Sequence, residues 1–259
     1  MNVIKYLRTI LPMWLISVLA SSPAYPASLE TLTYYTEAYP PFNFMNQGKI
    51  TGISVDLLQE AAKFSGHDVL LSQIVLQPWA RSYRSTILKK DGVLFSTTRT
   101  SHREELFHWV GPIDDIKVSV IARKGSNIKL GEPLEITSYK IGVIKDDVGE
   151  QMLLQYGVPR DSMQEATDVT MLAEQLVKKR IDLIAYDERS AHWWIKQAGY
   201  APDQFETLYV LKQGLLYYAF NKNIDQTLLD DLQMGIDKVK NTVNEDGVNR
   251  YQAILNKYQ

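Results

Sequence analysis

Cysteine is absent from the 259-residue chain, which excludes a disulfide framework, a thiolate metal site, a cysteine nucleophile and lipid attachment through a thiol. The phosphate-cradling glycine patterns G-x-G-x-x-G and G-x-x-x-x-G-K-[ST] are missing as well, so neither a dinucleotide nor a P-loop site is supported. "GISVD" (52–56) lacks the last glycine of a G-x-S-x-G nucleophile elbow. His67, His102, His108 and His192 show no paired spacing of the H-E-x-x-H kind. These absences lead us to expect no enzyme, no catalytic residue, no metal and no cofactor. Neither sign of charge dominates, with 28 Lys and Arg against 30 Asp and Glu and a pI near 6.1. That balance argues against nucleic acid and anionic membranes as partners.

What is there begins with "MNVIKYLRTILPMWLISVLASSPAYPAS". Lys5 and Arg8 precede a mostly apolar run over 9–20, and small residues follow. This is the layout of a secretory leader, and the run is short for a membrane span. Cleavage is expected after Ala24, with Ser22 and Ala24 meeting the small-residue rule. An uncleaved anchor is the alternative. Losing Lys5 and Arg8 moves the formal charge from −2 to −4. About 235 residues then remain, enough for one large domain or two small lobes. No later stretch is long and apolar enough to cross a bilayer, so a soluble periplasmic monomer is expected.

Along the mature chain, strand and helix signals alternate. Strands are predicted at 31–37, 68–76, 93–96, 140–144 and 181–186. Helices are predicted at 54–64 with Ser54 as N-cap, at 79–92, and at 148–157 closed by Gly157. Val169, Leu172, Ala173, Leu176 and Val177 follow the i, i+3, i+4, i+7, i+8 template of a buried helix face, and Leu228 to Val239 mark another. The alternation implies α/β layers with largely parallel strands. The segments 114–126 and 211–223 read as extended crossovers, which would make the middle block an insertion in the first. Ligand sites in such folds lie at strand ends, often between domains.

Four features carry candidate chemistry. In "YYTEAYPPFNF", two prolines hold the backbone beside Tyr39 extended, either as a rigid core corner or as an aromatic wall for a ligand. In "FSTTRTSHREELFHWVGP", Ser101 and Glu104 match a capping box with a helix from His102. Arg103 then occupies the first helical turn, an unfavourable place for a cation unless an anion joins it. The alternative is a surface pair with Glu104 or Glu105. Asp187, after the apolar strand "IDLIAY", is either a helix N-cap or an acceptor for a ligand ammonium. Together Arg103 and Asp187 would read a zwitterion. Trp193 and Trp194 project about 100° apart on a helix, so one of them is expected in the core.

"YPPFNF…GKITGISVDLLQEAAK", "TSHREELFHWVGPI", "KIGVIKDD" and "IDLIAYD" stand in order and spacing that resemble the family 3 bacterial extracellular solute-binding proteins, the periplasmic receptors for polar amino acids. The resemblance covers essentially the whole mature chain. It implies the type II periplasmic-binding-protein fold, α/β in two lobes. Lobe 1 would comprise 25–117 and 216–259, lobe 2 would comprise 118–215, and hinge segments would lie near 114–124 and 211–219. It implies that Tyr39 covers the ligand and that Arg103 clamps its α-carboxylate with help from Ser96 and Thr98. Asp187 would meet the α-amino group. Trp79 and Asp147 complete the implied binding set.

One departure concerns the Gly-Thr that many members carry after this strand; here "VIKDDVGEQ" places Asp146, Asp147 and Val148. Either the acids turn away as helix caps, or the ligand carries more positive charge or lacks that carboxylate geometry. The implied function is capture of a small polar, amino-acid-like solute by hinge closure and its presentation to an inner-membrane ABC permease. Two alternatives are a ligand-sensing receptor for a signalling partner and a cyclohexadienyl dehydratase-like enzyme on the same fold. In an open cleft the Arg103 guanidinium would be hydrated, so the ligand-free protein is expected to lose little stability without it.

Overall fold

The structure is a computed structural model that describes residues 28–258 other than 244 and 246. The expected leader, Met1 to about Ala24, lies outside the described residues. In chain order the elements are β1 (Thr33–Thr36), β2 (Phe44–Asn46), β3 (Lys49–Thr51), α1 (Ile53–Phe64), β4 (Ile74–Leu76), α2 (Trp79–Leu88), β5 (Gly92–Thr98), β6 (Phe107–Val110) and β7 (Asp115–Arg123). There follow β8 (Ile141–Ile144), α3 (Val148–Gln155), β9 (Met163–Ala166), α4 (Val169–Val177), β10 (Leu183–Asp187), α5 (Glu188–Gln197), β11 (Phe205–Asn221), α6 (Gln226–Asn241) and α7 (Arg250–Asn256).

The strands form a mixed α/β, two-lobed fold along one continuous path, β4-β1-β5-β11-β7-β10-β8-β9, with β6 also on β11. In the first half, β1 pairs in parallel with both β4 and β5. In the second, β8 pairs in parallel with both β9 and β10. The 17-residue β11 serves both halves: Leu216–Phe220 lie against β5, and Phe205–Leu215 run antiparallel to β7. The strands at the centre of each half, such as LIAYD in β10 and GVLFSTT in β5, are buried along their whole length because helices cover both faces.

Local packing decided three boundaries differently from the sequence. The cap of α1 is Gly52, not Ser54, because the Tyr39–Asn43 loop lies directly on it. Gly52 sits at φ +132°, and a Cβ there would come within 2.2 Å of the Phe42 carbonyl oxygen. The predicted strand 68–76 shrinks to Ile74–Leu76. Ahead of it, the Gln73 side chain accepts from Leu70 N–H and donates to the carbonyls of Leu29 and Leu32, which stabilises a 3-10 turn. The predicted helix 79–92 ends at Leu88. Among the described residues, no helix is long and apolar enough to cross a membrane.

Candidate ligand-binding site

Parallel pairing of β1 with β4 and β5, and of β8 with β9 and β10, sets the C-terminal ends of each trio on one edge. From β1 the chain runs into Glu37 and Tyr39, from β4 into Trp79, and from β5 into Thr98 and Arg103. In the other half β8 runs into Asp146 and Asp147, and β10 ends on Asp187. The two edges meet. Trp79 Nε1 donates to the Asp146 carbonyl at 2.9 Å, and the Tyr39 ring stands edge-on to Tyr186 of β10, centroids 5.7 Å apart.

Arg103 is fully buried, so the alternative of a surface ion pair is ruled out. Nor does a helix begin at His102. Glu104 is bound through both oxygens by Arg99, not by the Ser101 backbone, and only a 3-10 turn over Glu104–Leu106 forms. The predicted capping box and its dipole are therefore absent. The guanidinium is positioned by its neighbours instead. It stacks on Trp79 (5.0 Å) and Tyr83 (5.5 Å), and donates to the carbonyls of Thr98 (3.2 Å) and Asp146 (3.1 Å). Its Nε is buried without a partner, and among the described residues no carboxylate lies within ion-pair distance. Burial pulls its pKa down, against the nearby charges of Asp147 and Glu37. A buried guanidinium with a free donor and no counter-ion has the chemistry to take an anion.

Three buried carboxylates, Glu37, Asp147 and Asp187, likewise lack an ion-pair partner among the described residues. Asp187 caps α5 through Ser190 N–H (3.0 Å) and also accepts from Lys117 N–H (3.2 Å); burial nevertheless raises its pKa to about 6. Asp147 stands at the N-terminus of α3, where a Cβ on Gly149 would come within 2.5 Å of the Ala185 carbonyl oxygen. That close approach sets α3 directly on β10. Burial raises the Asp147 pKa, with the Arg103 charge opposing. Glu37 is raised well above the usual carboxylate range by burial and then by Asp147. It lines a cavity of about 200 Å³ between the strand ends 76–78 and residues 167–169, which contains Asp168 and no basic side chain.

The structure thus gathers Tyr39, Trp79, Thr98, Arg103, Asp147 and Asp187 at one junction. Burial and the charges of Asp187, Asp147 and Glu37 all push the Tyr39 hydroxyl pKa up. Ser96 is set apart. At φ +56° in a bulge of the β5–β11 ladder, its hydroxyl bonds Asn43 Oδ1 and, at 2.7 Å, Ser54 Oγ. Thr98 contributes a carbonyl that orients Arg103. Trp193 and Trp194 are both half-buried, edge to face at 4.6 Å, so neither is a pure core residue. Sequence reasoning missed Glu37, Tyr83 and Tyr186, whose buried hydroxyl has no partner. A signal existed for two of them: a lone acid closing an uncharged strand, and a tyrosine immediately before Asp187. Among the described residues, no group of three His, Asp or Glu is placed to hold a metal.

Against known proteins, the model of the bacterial extracellular solute-binding proteins, family 3, matches residues 32–258. A probable histidine-binding protein of Campylobacter jejuni is 23% identical over 223 residues, covering 85% of this chain and 81% of that protein. The solved arginine-, lysine-, histidine-binding protein ArtJ of Geobacillus stearothermophilus superposes with a TM-score of 0.72 at 20% identity, over 88% of this chain and 94% of that one. A histidine kinase sensor domain with similarity to periplasmic binding proteins gives 0.76 at 17% identity, over 89% and 96%. At these identities the solved structures speak for the fold.

Proposed function

The chain belongs to the family 3 bacterial extracellular solute-binding proteins, and from that premise we propose that it is a periplasmic receptor for an amino acid with a basic side chain. The observation that carries this is the set of ionisable groups left unpaired at the junction: one buried guanidinium against three buried carboxyl groups, none with an ion partner among the described residues. A ligand with one carboxylate, an α-ammonium and a second cation matches that set. In the proposed pose the carboxylate meets Arg103, the α-ammonium meets Asp187, and the side-chain cation lies by Glu37 and Asp147. Tyr39 and Trp79 enclose it. The histidine-, arginine- and lysine-binding relatives agree in ligand class. The excess acid also answers the departure at Asp146 and Asp147: the ligand brings extra positive charge.

In this reading residues 25–117 and 216–259 form lobe 1 and 118–215 form lobe 2. The paired strands β7 and β11, in unbroken register from Asp115–Leu215 to Val118–Lys212, supply the hinge. Closure brings both lobes onto one ligand and is favoured by its contacts to each. The leader directs export, and the closed form is presented to an ABC permease. The fold shared with a kinase sensor domain supports a second reading, in which a signalling partner senses closure; uptake of labelled ligand in a deletion strain separates the two. A thermal-shift panel of amino acids, polyamines and small organic acids tests the ligand class. A ligand at 100 times its Kd adds about 2.7 kcal/mol. Shifts with arginine, lysine or histidine are expected; shifts only with acidic or neutral compounds contradict it.

A further inference from the structure

We infer that Glu150 is a positioning residue for the anion clamp, holding the left-handed turn whose carbonyl receives Arg103 and Trp79 from across the cleft. Asp146 sits at φ +61°, a conformation that costs any residue with a Cβ and that persists only when neighbours over-determine it. The turn's own bond from Asp147 N–H to the Ile144 carbonyl (3.1 Å) closes it, and the side chain that adds to this hold is Glu150. Its carboxylate is buried, one oxygen accepts the Asp146 N–H at 2.7 Å, and the other is held by Arg160 at 2.6 Å. Arg160 lies half in solvent and also grips Glu165, which pairs with Lys145 at 3.1 Å. A surface ion network is thus anchored to one peptide unit of the site.

Across the Asp146 Cα, the carbonyl of the next peptide unit accepts three donors: Trp79 Nε1, Arg103 Nη2 and Gln151 Nε2. The oxygen remains neutral, so a ligand carboxylate makes the stronger partner for Arg103. The carbonyl therefore holds the guanidinium aimed into the cleft without outcompeting the ligand. The same turn sets Asp147 at the start of α3. Without Glu150 the turn loses its clamp, Arg103 loses its acceptor from the second lobe, and Asp147 shifts with it.

The ligand-binding arm of the test rests on the basic-amino-acid reading; the exchange arm does not. Glu150→Ala and Glu150→Gln are made in the natural chain and in Asp146→Gly. Amide hydrogen exchange over 145–149 is followed without ligand, and arginine affinity by calorimetry. Glu150→Ala should expose these amides to faster exchange and weaken arginine about tenfold, the loss of one buried hydrogen bond. Glu150→Gln, which keeps an acceptor, should recover most of both. In Asp146→Gly the penalty of Glu150→Ala should fall below about threefold, because glycine takes a positive φ unaided. Equal penalties in both backgrounds, or unchanged exchange in Glu150→Ala, overturn the inference. Should arginine not bind the natural chain, the ligand reading fails by itself and exchange alone decides the role of Glu150.

Discussion

Replacing Asp187 by Asn separates the charge of the site from its architecture. Asn is as good an N-cap as Asp, so the bond from Ser190 N–H and the start of α5 survive. The ionisable group does not. Burial lifts the Asp187 carboxyl from 3.8 to about 6; at 1.36 kcal/mol per pKa unit, ionising it in the ligand-free protein costs about 3 kcal/mol. The sign follows from a folded pKa above the unfolded one: the contribution to stability is complete below about pH 4 and is lost as pH rises through 6. Ligand-free Asp187→Asn is therefore more stable than the natural chain at pH 7, and the difference closes towards pH 4. Binding runs the other way, because a ligand ammonium needs the carboxylate. From pH 7 to pH 5 the Asp187 contribution weakens binding about tenfold, where an ordinary carboxyl would give almost no change. Glu37 and Asp147, also raised, add slope of the same sign, so the variant's profile is subtracted from that of the natural chain. Calorimetric titration at pH 5, 6 and 7, with denaturant unfolding at pH 4 and 7, measures both halves. Identical pH slopes in the two proteins would refute the reasoning.

Arg103→Ala should weaken ligand binding by about 2–5 kcal/mol, and Arg103→Lys should not restore it, because an ammonium lacks the planar fork. Contrary to the sequence-based expectation, Arg103→Ala should also destabilise the ligand-free protein by about 1–3 kcal/mol, since the buried carbonyls of Thr98 and Asp146 lose a donor. Denaturant unfolding beside titration tests both claims. Glu37→Gln should cost arginine at least about tenfold while leaving neutral amino acids unaffected, as a carboxyl that ionises against the ligand's cation makes a stronger contact than a neutral hydrogen bond; competition titrations read the ratio. Gly149→Ala, driven into the Ala185 carbonyl, should destabilise by about 1–3 kcal/mol, visible in thermal melting.

The helix at Val169–Val177 and the strand leading to Asp187 were legible because their signals are local: a periodic apolar face and a short apolar run ending on an acid. "DVLLSQIVL" misled for the opposite reason. Its apolar density reads as a strand, but Gln73 reaches carbonyls more than forty residues away and holds a turn. Ser54 looked like a cap until the approach of Phe42 made Gly52 the only residue that fits. At the site, Arg103 and Asp187 stood out as charges at strand ends. The capping box beside Arg103 failed because Arg99, five residues before Glu104, took the carboxylate first. Glu37 read as the end of a strand; it is buried and shares a cavity with residues 167–169 of the other half, a proximity that no local pattern encodes.

The most direct test of the proposed cation-selective junction compares arginine with citrulline, which keeps the length and shape of the side chain and lacks its charge. Both are titrated into the mature protein at pH 7.5 by calorimetry. Three buried unpaired acids against one guanidinium predict arginine to bind at least about a hundredfold tighter, the effect of losing one buried charge-assisted contact. Equal affinities, or tighter binding of citrulline, would mean that Glu37 and Asp147 are neutral in the complex, and that the junction selects for something other than a second positive charge.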